Sequence, residues 1–310
     1  MKVLVTGGEG YLGSITAVEL EKVGFETVIY DKKSGQDIRD TGSLTKIMKK
    51  EKIEAVMHFA AFIEMGESMQ NPVKYFDNNL IGSHCLLQAM IENKIDKIIF
   101  SSSAGVYGNP ERVPIKEEDR KLPENPYGMS KLMVEEILQW YSQIHGLKYT
   151  VLRYFNAAGA TLDGKMGEAH QPESHLIPNV IKAVLEDRSL TLFGNDYPTP
   201  DGTCVRDYIH VLDLARAHIL ALKALENGEK SQIYNVGTGK GFSNSEVIKM
   251  VEKVSGKKLK IKISPRRPGD ANELVADATK IQKELGWKPQ YSDLETIVKT
   301  AWQWHSTYPN

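Results

Sequence analysis

The sequence predicts a doubly wound α/β fold, a parallel sheet with helices on both faces, and three observations predict it. An apolar run of strand length, Lys2-Val3-Leu4-Val5-Thr6, passes directly into the glycine turn Gly7-Gly8-Glu9-Gly10-Tyr11-Leu12-Gly13 and then into a helical pattern reaching about Val23. Further apolar runs at 27–30, 55–61, 97–100 and 149–152 alternate with helical patterns at 72–93 and 127–145, the order of parallel strands joined by crossover helices. Polar residues suited to chemistry follow the ends of those runs, and open α/β sheets bind ligands at the C-terminal ends of their strands.

Glycines at 7, 10 and 13 allow a tight turn, close backbone approach to a pyrophosphate and close packing of helix on sheet, with a helix N-terminus facing the phosphates. The second run, Thr27-Val28-Ile29-Tyr30, ends in Asp31, eighteen residues past Gly13. A carboxylate there suits an adenosine ribose and repels a 2′-phosphate, so NAD is expected rather than NADP; Lys32 and Lys33 could meet a phosphate, but the acid is better placed. Ala55 to Ala61 reads as a buried strand running through Phe59 into the small residues Ala60-Ala61, which admit close backbone approach. Lys97 to Phe100 delivers Ser101-Ser102-Ser103, and Tyr149 to Leu152 leads into Arg153-Tyr154-Phe155-Asn156.

The stretch Tyr127-Gly128-Met129-Ser130-Lys131 carries the chemistry. A tyrosine and a lysine four apart share a helix face, so the ammonium is expected beside the phenol, lowering its pKa toward working pH. A serine hydroxyl can hydrogen-bond the reacting oxygen. Alone the pair describes many surface helices with a snorkelling lysine. After a phosphate-cradling turn and a serine run it reads as the proton relay of a nicotinamide-dependent enzyme that oxidises a carbinol.

Composition sets the outer bounds. At 310 residues, 41% apolar and 25% charged, the chain has ordinary globular composition. A formal net charge of −1 without a large basic cluster excludes a nucleic-acid footprint. Cys85 and Cys204 are too few for a disulfide framework or a thiolate metal site, and with neither a signal peptide nor a membrane span in the pattern, a cytoplasmic protein without a membrane partner is expected. His170 and His175 near Glu168 and Glu173 lack a recognised ligand spacing and read as a polar loop, so no metal is expected.

These residues closely resemble the extended short-chain dehydrogenase/reductase superfamily and, within it, the UDP-glucose 4-epimerase family. The match runs essentially end to end. Beyond the turn and the Tyr/Lys pair it includes His58-Phe59-Ala60-Ala61, Ser103-Ala104-Gly105-Val106-Tyr107-Gly108 and Arg153-Tyr154-Phe155-Asn156. Its specific part is Phe193-Gly194-Asn195-Asp196-Tyr197, Asp201 through Val211, and Arg266-Arg267-Pro268-Gly269-Asp270. The resemblance implies a Rossmann-like cofactor domain and a UDP-sugar substrate. It makes Ser103 and Tyr127 the catalytic hydroxyls, with Lys131 tuning Tyr127 and holding the nicotinamide ribose. It assigns the cofactor to Gly7, Gly10, Tyr11, Leu12, Gly13, Asp31, Asp37, Ile38, Phe59, Ala60, Ala61, Asn79, Ser101 and Tyr154, with Asp37 and Ile38 flanking adenine. Asn156, Arg206 and Arg267 are expected on the diphosphate, Phe193 near uracil, and Asp270 near the uridine ribose. His175, Leu176, Tyr208 and Leu274 complete the expected substrate contacts. The implied mechanism oxidises C4 of the sugar, turns the 4-keto sugar about its diphosphate tether and returns the hydride to the other face.

The chain departs from its relatives after Asp31, where only Lys32 to Gln36 precede Asp37. A parallel neighbour needs a crossover of about a dozen residues, and six steps reach at most about 20 Å. The edge strand is therefore expected to be lost, leaving the adenosine side of the pocket more open. Glu9 stands where a small residue is usual and is compatible with a pyrophosphate only if turned to solvent. Leu274 leaves N-acetylated hexoses open, and pentose and uronate nucleotides are alternatives. A 4,6-dehydratase needs a carboxylate pair that Ala104-Gly105 does not supply, a decarboxylase needs a glutamate near that point, and a non-catalytic NAD sensor has no use for the relay.

A first domain over 1–160 and a smaller α/β substrate domain over 161–310 are expected, with strands near 206–211 and 232–236 returning to the first sheet. Helices are expected over Leu176–Glu186, Val211–Leu225, Ser243–Ser255 and from about Ser292, with Gly286 capping the helix before Trp287. By resemblance the helices at 72–93 and 127–145 pair across a homodimer axis; Leu80, Leu87, Met133 and Ile137 suit either that packing or an ordinary core.

Overall fold

In the computed structural model, which describes residues 1–267 and 270–308, the strands run β1 (Lys2–Thr6), β2 (Glu26–Tyr30), β3 (Ala55–His58), β4 (Lys97–Ser103), β5 (Lys148–Tyr154), β6 (Asn156–Ala158), β7 (Leu190–Phe193), β8 (Val205–His210), β9 (Gln232–Val236), β10 (Gly241–Ser243), β11 (Ile261–Ser264) and β12 (Glu273–Leu274). Six of them form one parallel sheet in the order β2-β1-β3-β4-β5-β9. Alternate residues of each strand face opposite sides, and the core divides accordingly. Val3, Val5, Met57, Ile99 and Leu152 pack under the Tyr11–Lys22 and Val211–Glu226 helices. Leu4, Val56, Ile98, Phe100 and Val151 pack under the Thr41–Glu51, Gly82–Glu92 and Pro126–His145 helices.

β2 is the edge of the sheet, and among the described residues none between 31 and 40 forms a strand. Residues Lys32–Ser34 make one turn of 3-10 helix instead, with Asp31 as its N-cap and Gly35 closing it at φ 78°. The shortened segment is thus a direct loop joining the ends that hold Asp31 and Asp37.

The strand expected over 55–61 ends at His58, after which Phe59 N–H still bonds Thr6 O and the chain turns along the ligand edge. The helix expected over 72–93 is broken into Pro72–Tyr75, a π-helical turn at Phe76–Ile81, and Gly82–Glu92. The inserted π turn swings Asn79 inward, where its amide accepts from Phe62 N and donates to Phe62 O, both at 2.9 Å.

β9 joins the large sheet beside β5, as expected, whereas the strand near 206–211 does not. β9 occupies the open edge of β5, so β8 pairs with β6, β10 and β12 in a second, four-stranded sheet. That sheet, the short β7/β11 pair, and the Leu176–Leu185, Asn244–Ser255 and Leu294–Thr307 helices form a second unit around Ile181, Val251 and Val298. Gly286 ends the Thr279–Leu285 helix at φ 62°.

One buried ion pair fastens the Pro126–His145 helix to the sheet. Arg153 of β5 and Glu135 of the Pro126–His145 helix are 2% and 1% exposed and meet in a bidentate pair, Nε to Oε1 at 3.0 Å and Nη2 to Oε2 at 2.5 Å. Ser102 donates to Glu135, and Arg153 donates to Tyr107 Oη at 2.8 Å and Glu117 O at 3.0 Å. Removing one partner strands a buried charge. Glu135→Gln should therefore cost about 3–5 kcal/mol in urea unfolding, while the double change Glu135→Leu with Arg153→Met should cost far less than Glu135→Gln alone; equal losses in both would show that the pair is not a coupled unit.

Candidate active site

The glycine turn is shaped by contact with its own backbone and with the chain just past β3. Gly7 adopts φ 72°, and a Cβ there would stand 2.6 Å from Ala60 N. A Cβ on Gly13 would stand 2.2 Å from Gly7 O, so both positions exclude any side chain. Gly10 is the N-cap of the Tyr11–Lys22 helix and offers no capping side chain, which leaves the first-turn N–H groups for an anion. These features fit a dinucleotide pyrophosphate.

Asp31 is buried at the tip of β2, where its carboxylate accepts from Glu9 N at 3.0 Å and Lys33 N at 2.9 Å. Glu9 turns its carboxylate away from the turn toward Ser34, which donates to it. Asp37 pairs with Arg39, whose guanidinium lowers the Asp37 carboxyl to about 2. Ile38 is buried against Gly82, so its side chain belongs to the core and only its main chain is available at the pocket edge. Phe59 stacks on His218 at 4.8 Å between ring centroids, and Ala60 and Ala61 follow it along the ligand edge. Tyr11 donates to Gly159 O at 2.7 Å, and Leu12 packs on the core.

Ser103 ends β4, paired in register with Tyr154 of β5. Its hydroxyl accepts from Gly105 N at 3.0 Å. Tyr127 and Lys131 lie on the first turns of the Pro126–His145 helix, which Asn125 caps by accepting from Gly128 N at 2.9 Å. The helix sits close because Gly128 has no side chain; a Cβ there would meet Gly105 O at 2.5 Å. Both Tyr127 and Lys131 are buried.

The electrostatics correct one expectation. Lys131 does not draw the Tyr127 phenol down: burial raises Tyr127, with a Ser103 hydrogen bond opposing and Glu64 adding to the rise. Burial also pushes Lys131 down to about 7, and its ammonium donates to Ser101 O at 2.8 Å. Desolvation disfavours charge on both groups, so a phenolate at Tyr127 needs opposing positive charge, which an oxidised nicotinamide bound at this face would supply. Tyr154 lies near Tyr127 and is likewise raised by burial.

On the substrate side, Asn156 pairs in register with Tyr208, and Leu274 with Arg206. Arg206 donates to Ala271 O at 2.9 Å and faces Asp270 at 3.5 Å. Arg267 lies over the Phe193 ring at 4.1 Å. Pro268 and Gly269 lie outside the described residues. His175 stands at the N-cap position of the Leu176–Leu185 helix without a side-chain capping bond, and its Nδ1 is engaged by Glu168 at 2.7 Å and Glu173 at 3.2 Å. Arg206, Asp270 and Leu274 are thus brought together, as are Arg267 and Phe193.

Sequence reasoning missed the groups that support these residues. His218, buried in a helix of apolar neighbours, bonds Ser101 Oγ at 2.8 Å and stacks on Phe59. His58 joins Thr6 Oγ1 at 2.6 Å to Ser83 Oγ at 2.8 Å, and burial lowers it to about 3. A histidine on an apolar helix face was the only signal for His218.

Fold and site together define a class of NAD-binding α/β enzymes. Residues 3–237 match the NAD dependent epimerase/dehydratase family, and the chain belongs to it. It is 47% identical over 324 residues to the UDP-glucose 4-epimerase of Lacticaseibacillus casei, covering 100% of this chain and 98% of that one. It also matches the crystal structure of UDP-glucose 4-epimerase from Brucella ovis in complex with NAD, at TM-score 0.94 and 43% identity over 97% of each chain. The Bifidobacterium longum UDP-glucose 4-epimerase in complex with NAD+ and UDP aligns at TM-score 0.93 and 38% identity, over 100% of this chain and 99% of that one.

The lysine shift predicts a pH dependence. Folding lowers the Lys131 pKa from 10.5 to about 7, so between those values the unfolded chain binds the extra proton and stability rises with pH; below about 7 both states are protonated and the full penalty of the buried ammonium applies. Without added dinucleotide, unfolding free energy should climb from pH 7 to 10, and Lys131→Met should lose most of that slope. Identical slopes in the two proteins would exclude Lys131 as its source.

Proposed function

We propose that this chain is a UDP-glucose 4-epimerase that interconverts UDP-galactose and UDP-glucose with NAD. The carrying observation is that Ser103 at the C-terminal end of β4 and Tyr127 and Lys131 on the first turns of the adjoining helix stand buried together, while Arg206 on β8 and Arg267 after β11 lie in the second unit. When bound, NAD supplies a reversible hydride acceptor for C4 of the sugar. Tyr127 takes the O4 proton and gives it back, with Ser103 hydrogen-bonded to the same oxygen. Lys131, with Ser101 and His218 behind it, orients the relay against the nicotinamide ribose. Asn156 and the two arginines hold the diphosphate through planar, paired donors, and Phe193 and Asp270 hold the uridine. Binding energy concentrated on UDP retains the keto sugar while few contacts fix the hexose, which must present both faces. Residues up to about 160 serve mainly the cofactor and those after it mainly the substrate, with β9 and the Val211–Glu226 helix returning to the first sheet.

We place the enzyme in the cytoplasm; among the described residues no helix is long and apolar enough to cross a membrane. A homodimer is the proposed assembly. Leu87 is core, but Met129, Met133, Trp140 and Ile144 form an exposed stripe on the Pro126–His145 helix, with Trp140 and Ile144 63% and 68% exposed. Trp140→Glu should convert a dimer to monomer in sedimentation velocity, and an unchanged mass would remove this face from the assembly.

The purified protein should convert UDP-galactose to UDP-glucose without a net reductant, and Tyr127→Phe should lower kcat by about 10²–10⁴-fold. A marked response to added NAD would accord with the shortened 31–37 edge. No turnover with NAD present, and turnover with UDP-N-acetylglucosamine instead, would reassign the sugar.

A further inference from the structure

The loop between β6 and the Leu176–Leu185 helix folds Glu168, His170, Glu173 and His175 onto one point. One ligand atom from each side chain lies within 4.8 Å of all the others. His170 Nδ1 and His175 Nδ1 approach Glu168 Oε1 at 2.9 and 2.7 Å, and His175 Nδ1 approaches Glu173 Oε1 at 3.2 Å. Both carboxylate side chains are only 4% exposed. Glu173 Oε2 is buried without a hydrogen-bond partner among the described residues. A buried carboxylate oxygen left bare is costly, and hydrogen bonding within the cluster leaves it so.

We propose that Glu168, His170, Glu173 and His175 form a closed site for one divalent transition-metal ion, with zinc the best match to the donors. Two imidazoles disfavour magnesium and calcium, which take oxygen ligands, and four protein ligands suit a closed tetrahedral zinc site. Bonds of about 2.1 Å place tetrahedral ligands about 3.4 Å apart, so the close pairs at 2.7, 2.9 and 3.2 Å would open slightly and the widest, within 4.8 Å, would draw in to admit the ion. Charge agrees with this. In the metal-bound form, where both imidazoles must be neutral, the two carboxylates would carry two negative charges that one divalent cation balances.

The surroundings give the ion a task. Trp304 of the terminal helix donates to Glu168 O at 2.8 Å, and a Cβ on Gly167 would stand 2.4 Å from Trp304 Cγ, so the loop is pressed onto that helix. The His170 ring meets Tyr11 edge-on at 6.3 Å, next to the glycine turn, and His175 begins the Leu176–Leu185 helix. The metal is a structural clasp joining the cofactor turn, the terminal helix and the start of a substrate-side helix. It takes no part in proton or hydride transfer.

The test reads metal directly and is independent of epimerase turnover. The purified chain should carry about one equivalent of zinc by inductively coupled plasma mass spectrometry. After chelation, added Co²⁺ should give the visible bands of a tetrahedral site. Added Zn²⁺ at about 100 times its Kd should raise Tm by about 5 °C. His170→Ala, at a side chain 29% exposed and therefore tolerant of truncation, should lower metal affinity at least about tenfold, as should Glu168→Gln. The proposal is overturned if the chain holds no zinc and gives neither cobalt bands nor a Tm rise, or if His170→Ala binds metal as tightly as the parent.

Discussion

The bidentate pair between Arg153 and Glu135 sets the position of everything at the candidate active site. Arg153 is in register with Ser102, and Ser102 itself donates to Glu135, so one carboxylate receives hydrogen bonds from β4 and β5 at once. Glu135 lies one helical turn past Lys131 and two past Tyr127. The ion pair therefore sets the height of that helix against the sheet, and with it the placement of Tyr127 beside Ser103. A weaker polar contact would leave the helix free to slide. The desolvation cost of two buried charges is tolerable only in the fully bonded arrangement, so the pair penalises every other register.

That constraint explains why the supporting groups are buried and polar. The ligand edge of the sheet holds His58, Ser83, Ser101 and His218, and each is hydrogen-bonded to a partner on another element. Burial keeps both histidines neutral, with His58 near 3 and His218 near 4, so they orient neighbours without adding charge beside the nicotinamide site. A protonated histidine behind Ser101 would compete with Lys131 for the same carbonyl region. Neutral rings bond and stack there at no electrostatic cost.

The parts of the site carried by short spacings were legible in the sequence. The glycine turn, Asp31, and the Tyr127 and Lys131 pair lie within single strand–turn–helix units, where local geometry follows from residue order. The missing edge strand was legible for the same reason, since six residues cannot make a crossover. Three things were not legible. Which sheet β8 joins depends on β9 having taken the edge of β5, a choice made between segments distant in sequence. The direction of the Tyr127 shift depends on burial, which a helix-face argument does not contain. The cluster at Glu168 comes from a loop with no hydrophobic period, and only its packing on Trp304 folds the four side chains inward.

The two halves of the pocket are built by opposite means, and the shortened edge sharpens the contrast. On the cofactor side, backbone contacts too close for a Cβ at Gly7 and Gly13 shape the pyrophosphate cradle in advance. Asp31 is already bonded to Glu9 N and Lys33 N, so the loop at 31–36 holds the acid in place without a covering strand. In the second unit the arginines rest on neighbouring side chains: Arg206 against Asp270, Arg267 over Phe193, Arg266 over Tyr197 at 4.2 Å. Such contacts exchange for ligand contacts at small net cost, whereas a backbone cradle cannot rearrange. A cofactor that stays and a substrate that must enter, turn and leave call for this asymmetry. The missing edge strand would lie beyond β2, three strands from β4, so the geometry at Ser103 and Tyr127 does not depend on it.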